Sequence, residues 1–301
     1  MRARVTNGGA TKTTKTRKTR KILTTFVAAL TFTIAAPAVA SAAPSSGWND
    51  WSCAPGTRHP EPVVLVHGLG ANATTNWFYH APKLKDAGYC VYSLTYGATV
   101  LDGQLFGGLR SMRKSAAELG AFVDRVRKST GADKVDIVGH SEGTTMPAYY
   151  LKYEGGAEKV KQFVGFGSNF KGTSLNGLSG LAKAVLSIPG LDLLADGVCG
   201  ACREYLAPSD FLDDLARGGV AVPGPTYTSI VSRYDRVVTP YTSGVLGEPG
   251  TTDIVLQDKC GADASGHLSQ AIDPNVTSLI LKALDPKHAP APKCVPFVAP
   301  L

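Results

Sequence analysis

The first 42 residues contain no aspartate or glutamate, although the chain as a whole has 24. They carry eight of its 31 basic residues, Arg2, Arg4, Lys12, Lys15, Arg17, Lys18, Arg20 and Lys21. This acid-free stretch leads into an apolar segment, 22–36, and then into the small-residue site Ala40-Ser41-Ala42. Together they form the three-part pattern of a secretory signal peptide. The apolar segment is broken by threonines and is short for a membrane span, so removal of residues 1–42 is expected rather than a retained anchor. Without them the chain has 23 basic against 24 acidic residues, and its basic character disappears. That excludes a charge-based case for a nucleic-acid or anionic-membrane partner, and no stable membrane insertion is expected.

Two further absences narrow the reading. No internal repeat is visible, so residues 43–301 fit one α/β domain rather than an array. Beside Cys199-Gly-Ala-Cys202 there is no second cysteine pair and no nearby histidine to complete a metal set, which favours a local disulfide over a zinc or redox half-site. The six cysteines of an exported chain suggest disulfides, and six allow fifteen pairings. The expected set is Cys53–Cys90 tying the N-terminal arm, Cys199–Cys202 as a local loop, and Cys260–Cys294 tying the tail. Neither a metal nor a cofactor is expected.

What the chain does have is an apolar strand, 134–138, that runs into Gly139-His140-Ser141-Glu142-Gly143 and then into a helical pattern. A serine hydroxyl becomes a useful nucleophile when a sharp strand-to-helix turn holds it out toward a general base. Glycines at 139 and 143 let strand and helix pass closely at that turn. Upstream, the continuous apolar run 62–66 reads as a central parallel strand ending in His67-Gly68-Leu69-Gly70. There the Leu69 N–H is one candidate oxyanion donor, and the Glu142 N–H is the other.

The elements between and after these follow from periodicity. A helix is expected over 77–87, a strand over 89–94, and a helix over 113–128 with Ala116, Leu119, Val123 and Val126 on one stripe. Met146, Tyr149, Tyr150 and Tyr153 read as packing residues of the helix after Ser141. Further strands are expected at 160–166, 226–232 and 254–257, and Asp273-Pro274 opens a last helix running to about Leu284. The insertion 172–224 is unusually apolar for a surface loop. It reads as packed helices or as a cap over an acyl pocket, and the two can coexist.

The strand at 226–232 delivers Asp235 at its C-terminal end, where α/β sheets place ligands. Asp235 is therefore the candidate acid that orients the base, against the plainer alternative of a salt bridge to Arg233 or Arg236. Among six histidines, His267 lies in the loop after the last strand and is the candidate base. His288, in the tail, is the alternative, while the rings of His67 and His140 are expected to matter less than their backbones.

These residues resemble the actinobacterial secreted triacylglycerol lipases of the class 2 type, which have the α/β-hydrolase fold. The resemblance spans roughly 51–284 and is carried by Val63-Val64-Leu65-Val66-His67-Gly68, Ala87-Gly88-Tyr89-Cys90-Val91-Tyr92, residues 130–141, Met146-Pro147, Lys171-Gly172-Thr173 and Ser232-Arg233-Tyr234-Asp235. It implies a mostly parallel sheet flanked by helices with a cap insertion, Ser141 as nucleophile, Asp235 and His267 completing a triad, and Leu69 and Glu142 as oxyanion donors. It also implies a monomeric, extracellular enzyme with a lipid or other ester substrate at an oil–water interface. A short-chain carboxylesterase or polyesterase has the same site, whereas a silent binding protein would be expected to lose a triad member. Glu142 departs from the family pattern, which usually has Gln there. Its carboxyl either turns outward to Arg110 or Arg113, or stays in the apolar site partly protonated, its pKa raised by desolvation.

Overall fold

The computed structural model describes residues 47–98, 105–174, 199–205 and 208–299. The expected signal segment 1–42, and 175–198 of the expected insertion, lie outside them.

Val63–Val66 (β1) is apolar at every position and fully buried, as a strand covered on both faces must be. Its side chains alternate: Val64 and Val66 join one core cluster, Val63 and Leu65 the other. Around it lie β2 (Val91–Leu94), β3 (Val135–His140), β4 (Val160–Phe166), β5 (Thr226–Val231) and β6 (Thr251–Val255). Among the described residues these form one sheet in the order β2-β1-β3-β4-β5-β6, with every pair parallel.

Parallel neighbours need crossover connections, and the helices supply them. α1 (His80–Asp86) joins β1 to β2, α2 (Met112–Thr130) joins β2 to β3, and α3 (Glu142–Tyr153) joins β3 to β4. Leu119 and Val123 of α2 and Met146 and Tyr150 of α3 bury one face of the sheet. Leu84 of α1, with Val276 and Ile280 from the helix Pro274–Leu284, buries the other. α2 stops where Gly131 takes the left-handed conformation, φ 71°. The helix Pro274–Leu284 starts where the Asp273 carboxylate accepts the Asn275 N–H at 2.7 Å.

The last strand departs from expectation. It is Thr251–Val255, and Leu256 and Gln257, expected to extend it, lie in the helical turn Leu256–Lys259. This strand is at the sheet edge and only half-buried, so it lacks the continuous apolar signature of the inner strands. The first helix also begins later than expected. The Asn72 side chain accepts the N–H groups of Thr74 and Thr75 and makes a turn of the residues ahead of it.

Two described pieces of the insertion are helical: α4 (Gly200–Tyr205) and α5 (Asp210–Ala216). With these labelled, Pro274–Leu284 is α6. Phe211 of α5 stacks on Tyr149 of α3 with ring centroids 5.1 Å apart, so this part of the insertion packs on the domain. Glu204 of α4 accepts from Ser111 Oγ and the Met112 N–H and so caps α2. The structure joins Cys53 to Cys90, Cys199 to Cys202 and Cys260 to Cys294.

Candidate active site

Ser141 stands between β3 and α3 with φ 55° and ψ −122°, one of two non-glycine residues with positive φ among those described. Such a conformation persists only where the surroundings over-determine it. Here the flanking glycines show how. A Cβ on Gly139 would lie 1.7 Å from the Gly143 carbonyl oxygen, and one on Gly143 would lie 1.9 Å from the Val66 carbonyl oxygen. Strand, helix and the end of β1 therefore meet without room for a methyl group. The Ser141 N–H donates to the Phe166 carbonyl at 3.1 Å, and its carbonyl accepts from Thr144, which fixes the turn from both sides.

His267 Nε2 lies 2.8 Å from Ser141 Oγ, and its Nδ1 lies 2.7 Å from Asp235 Oδ2. All three residues are buried, at 2% exposure for His267, 5% for Ser141 and 7% for Asp235. The other oxygen of Asp235 accepts the N–H groups of Val237 and Val238 at 2.9 and 2.8 Å. A carboxylate held this way faces Nδ1 as an acceptor, so that nitrogen carries the proton and Nε2 is left to accept from the serine. Asp235 does not pair with Arg233, which binds Asp258 instead. His288, the alternative base, sits on the surface beside Asp285.

The loop 67–70 lies against the serine, since a Cβ on Gly68 would be 3.0 Å from Ser141 Cβ. It is tied down by Gly70 N–H to Gly107 carbonyl at 2.8 Å and by Gly68 N–H to Asn76 Oδ1 at 3.0 Å. The Leu69 and Glu142 N–H groups have no acceptor among the described residues. His67 supports this loop with its ring as well as its backbone. Nδ1 donates to the Gly68 carbonyl at 2.8 Å and Nε2 accepts the Tyr96 N–H at 3.3 Å, while the ring stacks on Tyr96. Burial pushes its pKa down to about 4, consistent with one N–H and one lone pair.

Glu142 is fully buried, and neither carboxyl oxygen has a hydrogen-bond partner. The outward alternative fails because Arg110 pairs with Glu118 at 3.0 Å and Arg113 with Asp214 at 2.6 Å. A buried carboxylate without a cation or donor would cost several kcal/mol or more, roughly, so the group keeps its proton. Burial holds its pKa well above the carboxylate range, with Glu204 adding to it; the nearby Tyr96 hydroxyl works against that only weakly, since its proton goes to the His67 carbonyl at 2.7 Å.

Some side chains around the site were not singled out by sequence. Asn76 touches both the 67–70 loop and His140, and Asn169 accepts from Thr144 and Thr145 at the start of α3. Gln270 reaches the backbone beside His267, and so does the ring of His140, which was expected to matter less than its backbone. All four are buried, and burial of a polar side chain with its partners supplied is visible only in the folded chain. Among the described residues no group of three or more His, Cys, Asp or Glu is arranged to hold a metal, and no helix is long and apolar enough to cross a membrane.

The family described as Lipase (class 2) matches residues 60–278. Among solved structures, lipase B of Aspergillus fumigatus is 20% identical with a TM-score of 0.62, covering 80% of this chain and 57% of that one. Lipase BlEst2 of Bacillus licheniformis in its mature form is 17% identical with a TM-score of 0.52, covering 74% of this chain and 91% of that one. A thermophilic esterase from Thermogutta terrifontis, with malate bound, is 17% identical with a TM-score of 0.53, covering 76% and 90%. These likenesses show a shared α/β-hydrolase fold, and the chain spans little more than half the length of the Aspergillus enzyme.

Proposed function

The chain belongs to the class 2 lipase family, and on that premise we propose that it is a carboxylic ester hydrolase that cleaves fatty-acyl esters of the triacylglycerol type through an acyl-enzyme on Ser141. The observation that carries this reading is the aligned set Ser141 Oγ, His267 and Asp235, with contacts of 2.8 and 2.7 Å, at a serine held in a positive-φ turn. His267 Nε2 takes the serine proton as Oγ attacks the ester carbonyl, and Asp235 stabilises the imidazolium that results. The carbonyl oxygen, now negative, faces the Leu69 and Glu142 N–H groups. As the tetrahedral intermediate collapses, His267 returns the proton to the leaving alcohol. Water, deprotonated by the same imidazole, then releases the fatty acid.

The same reading makes the protein extracellular. The acid-free basic start, the apolar segment and the small-residue site support export, and the three disulfides suit an oxidising compartment. It acts as a monomer on ester substrate at an oil–water interface and uses no cofactor. The test is hydrolysis of p-nitrophenyl esters from acetate to palmitate by wild type and Ser141→Ala. Activity that rises toward long chains and vanishes in the variant supports the lipase reading. Activity confined to acetate and butyrate makes the protein a short-chain esterase instead, and equal rates in the two proteins remove Ser141 as nucleophile.

A further inference from the structure

His267 is carried by a loop, and that loop is held by two side chains that the triad itself does not use. Gln270 is fully buried and spans from this loop to the end of β4. Its Oε1 accepts the Gly167 N–H at 3.1 Å, and its Nε2 donates at 3.3 Å to the Gly266 carbonyl, which also accepts from Ser269 Oγ at 3.3 Å and the Gln270 N–H at 3.4 Å. The roles of its two amide ends are fixed, because one partner is a donor and the other an acceptor. His80 braces it from below, with Nε2 3.0 Å from the Gln270 carbonyl oxygen.

The second side chain is His140, whose ring stacks on Phe166 at 4.7 Å and whose Nε2 lies 3.2 Å from the His267 carbonyl oxygen. Its Nδ1 lies 3.0 Å from Asn76 Oδ1. Burial keeps this ring neutral, with one N–H for two acceptors. The His267 carbonyl has no other donor among the described residues, and the contact of His140 Nε2 with it is a hydrogen bond in the tautomer that carries the proton on Nε2, which is the one a clamp on that carbonyl requires. Under the His267 ring lies Gly167, where a Cβ would stand 3.2 Å from both His267 Cε1 and His140 Cδ2. The base therefore rests on a residue without a side chain, with a donor to its own carbonyl and another to the preceding one.

We propose that Gln270 and His140 are positioning residues for His267, a two-point clamp on the carbonyls of residues 266 and 267 that fixes the imidazole between Ser141 and Asp235. The proposal rests on the reading of Ser141 as nucleophile and His267 as base. A base must stay within about 0.5 Å of its productive position, and a displacement of about 1 Å costs roughly 100-fold in rate. Buried carbonyls of an irregular loop need donors, and the bonds that cross to another element, Gly167 N–H to Gln270 Oε1 and His140 Nε2 to the His267 carbonyl, limit how far the loop can shift.

The test compares Gln270→Met, His140→Phe and His140→Gln with wild type, Ser141→Ala and Leu119→Ala. Leu119 lies buried in α2 and supplies a control for lost stability alone. Each protein is titrated to completion with a p-nitrophenyl phosphonate to count active sites, and kcat and KM are then measured on p-nitrophenyl butyrate beside the melting temperature. Gln270→Met and His140→Phe should lose about 10- to 100-fold in kcat per titrated site with KM within about twofold. His140→Gln, which can keep an amide N–H near the Nε2 position, should recover most of the loss, and Leu119→Ala should melt lower with its kcat per site retained. Full kcat per site in Gln270→Met and His140→Phe, or equal loss in His140→Phe and His140→Gln, would overturn the clamp while wild type stayed active and Ser141→Ala stayed dead. Wild type without esterase activity, or Ser141→Ala with full activity, would sink the enzymatic reading and the clamp with it.

Discussion

Gly108 covers the Glu142 carboxyl so closely that a Cβ on it would fall 3.0 Å from Oε2 and 3.2 Å from Oε1, and 3.1 Å from Cα of Leu69. An unpartnered acid is thus enclosed beside both proposed oxyanion donors. The titratable groups that bear on it are Tyr96 after β2 and Tyr205 and Glu204 of α4, none of them cationic at neutral pH.

The raised pKa of Glu142 gives a pH dependence of known sign. The proton is kept in the folded protein, so its contribution is intact at low pH and is lost as pH rises through the folded pKa. Ionisation would then place negative charge where the reaction develops its own. Glu142→Gln should keep kcat near neutrality within about threefold and hold activity further into the alkaline range than wild type. A kcat profile against pH for the two proteins checks this, and the same alkaline decline in both would count against it.

A second pH effect comes from buried aspartates away from the nucleophile. Burial pushes Asp136, on β3, up to about 8, with Glu61 adding to the shift and Lys161 opposing it. Asp273 is pushed up to about 7, first by burial, despite its bond from Ser265. Ser265 Oγ lies 2.6 Å from Asp263 and 2.5 Å from Asp273, and with one proton it donates to only one of them. Raised carboxyl pKa values stabilise the fold in acid and lose that effect as pH rises from the ordinary carboxylate value, about 4, through 7 to 8. Asp136→Asn should therefore gain melting temperature relative to wild type as pH goes from 5 to 9, measured by thermal unfolding across that range.

The third prediction concerns the tail. Residues 294–299 run beside the base loop: Ala264 N–H donates to the Phe297 carbonyl at 2.8 Å, Phe297 N–H to Ala262 at 3.2 Å, and Gly266 N–H to Ala299 at 3.3 Å. Cys260–Cys294 anchors this strap. Replacing both cysteines by serine should cost about 2–4 kcal/mol of stability and lower kcat more than KM, because the strap bonds the loop that ends in His267. Urea unfolding beside steady-state kinetics measures both.

How much of this was legible in sequence depended on whether the constraint was local. Gly139, Ser141 and Gly143 announce the elbow because sterics at three neighbouring positions dictate it. The inner strands announce themselves because burial on both faces demands unbroken apolar runs such as Val63–Val66. The edge strand Thr251–Val255 has no such demand, and the buried Leu256 beyond it drew the expected strand too far. Gln270 and His140 were out of reach because their roles depend on carbonyls that only the folded chain brings near. The side-chain direction of Glu142 stayed open for the same reason: what decides it is the company of Gly108, Tyr96 and Tyr205, distant in sequence.

The central claim is that Ser141 and His267 act as one nucleophile–base unit, and the most direct measurement is p-nitrophenyl ester turnover by Ser141→Ala, His267→Ala and His288→Ala beside wild type. The first two should each lose roughly 10⁴-fold or more in kcat, and His288→Ala, altered at a surface side chain bonded to Asp285, should stay close to wild type. Near-normal turnover by His267→Ala, with the loss found in His288→Ala instead, would contradict the account.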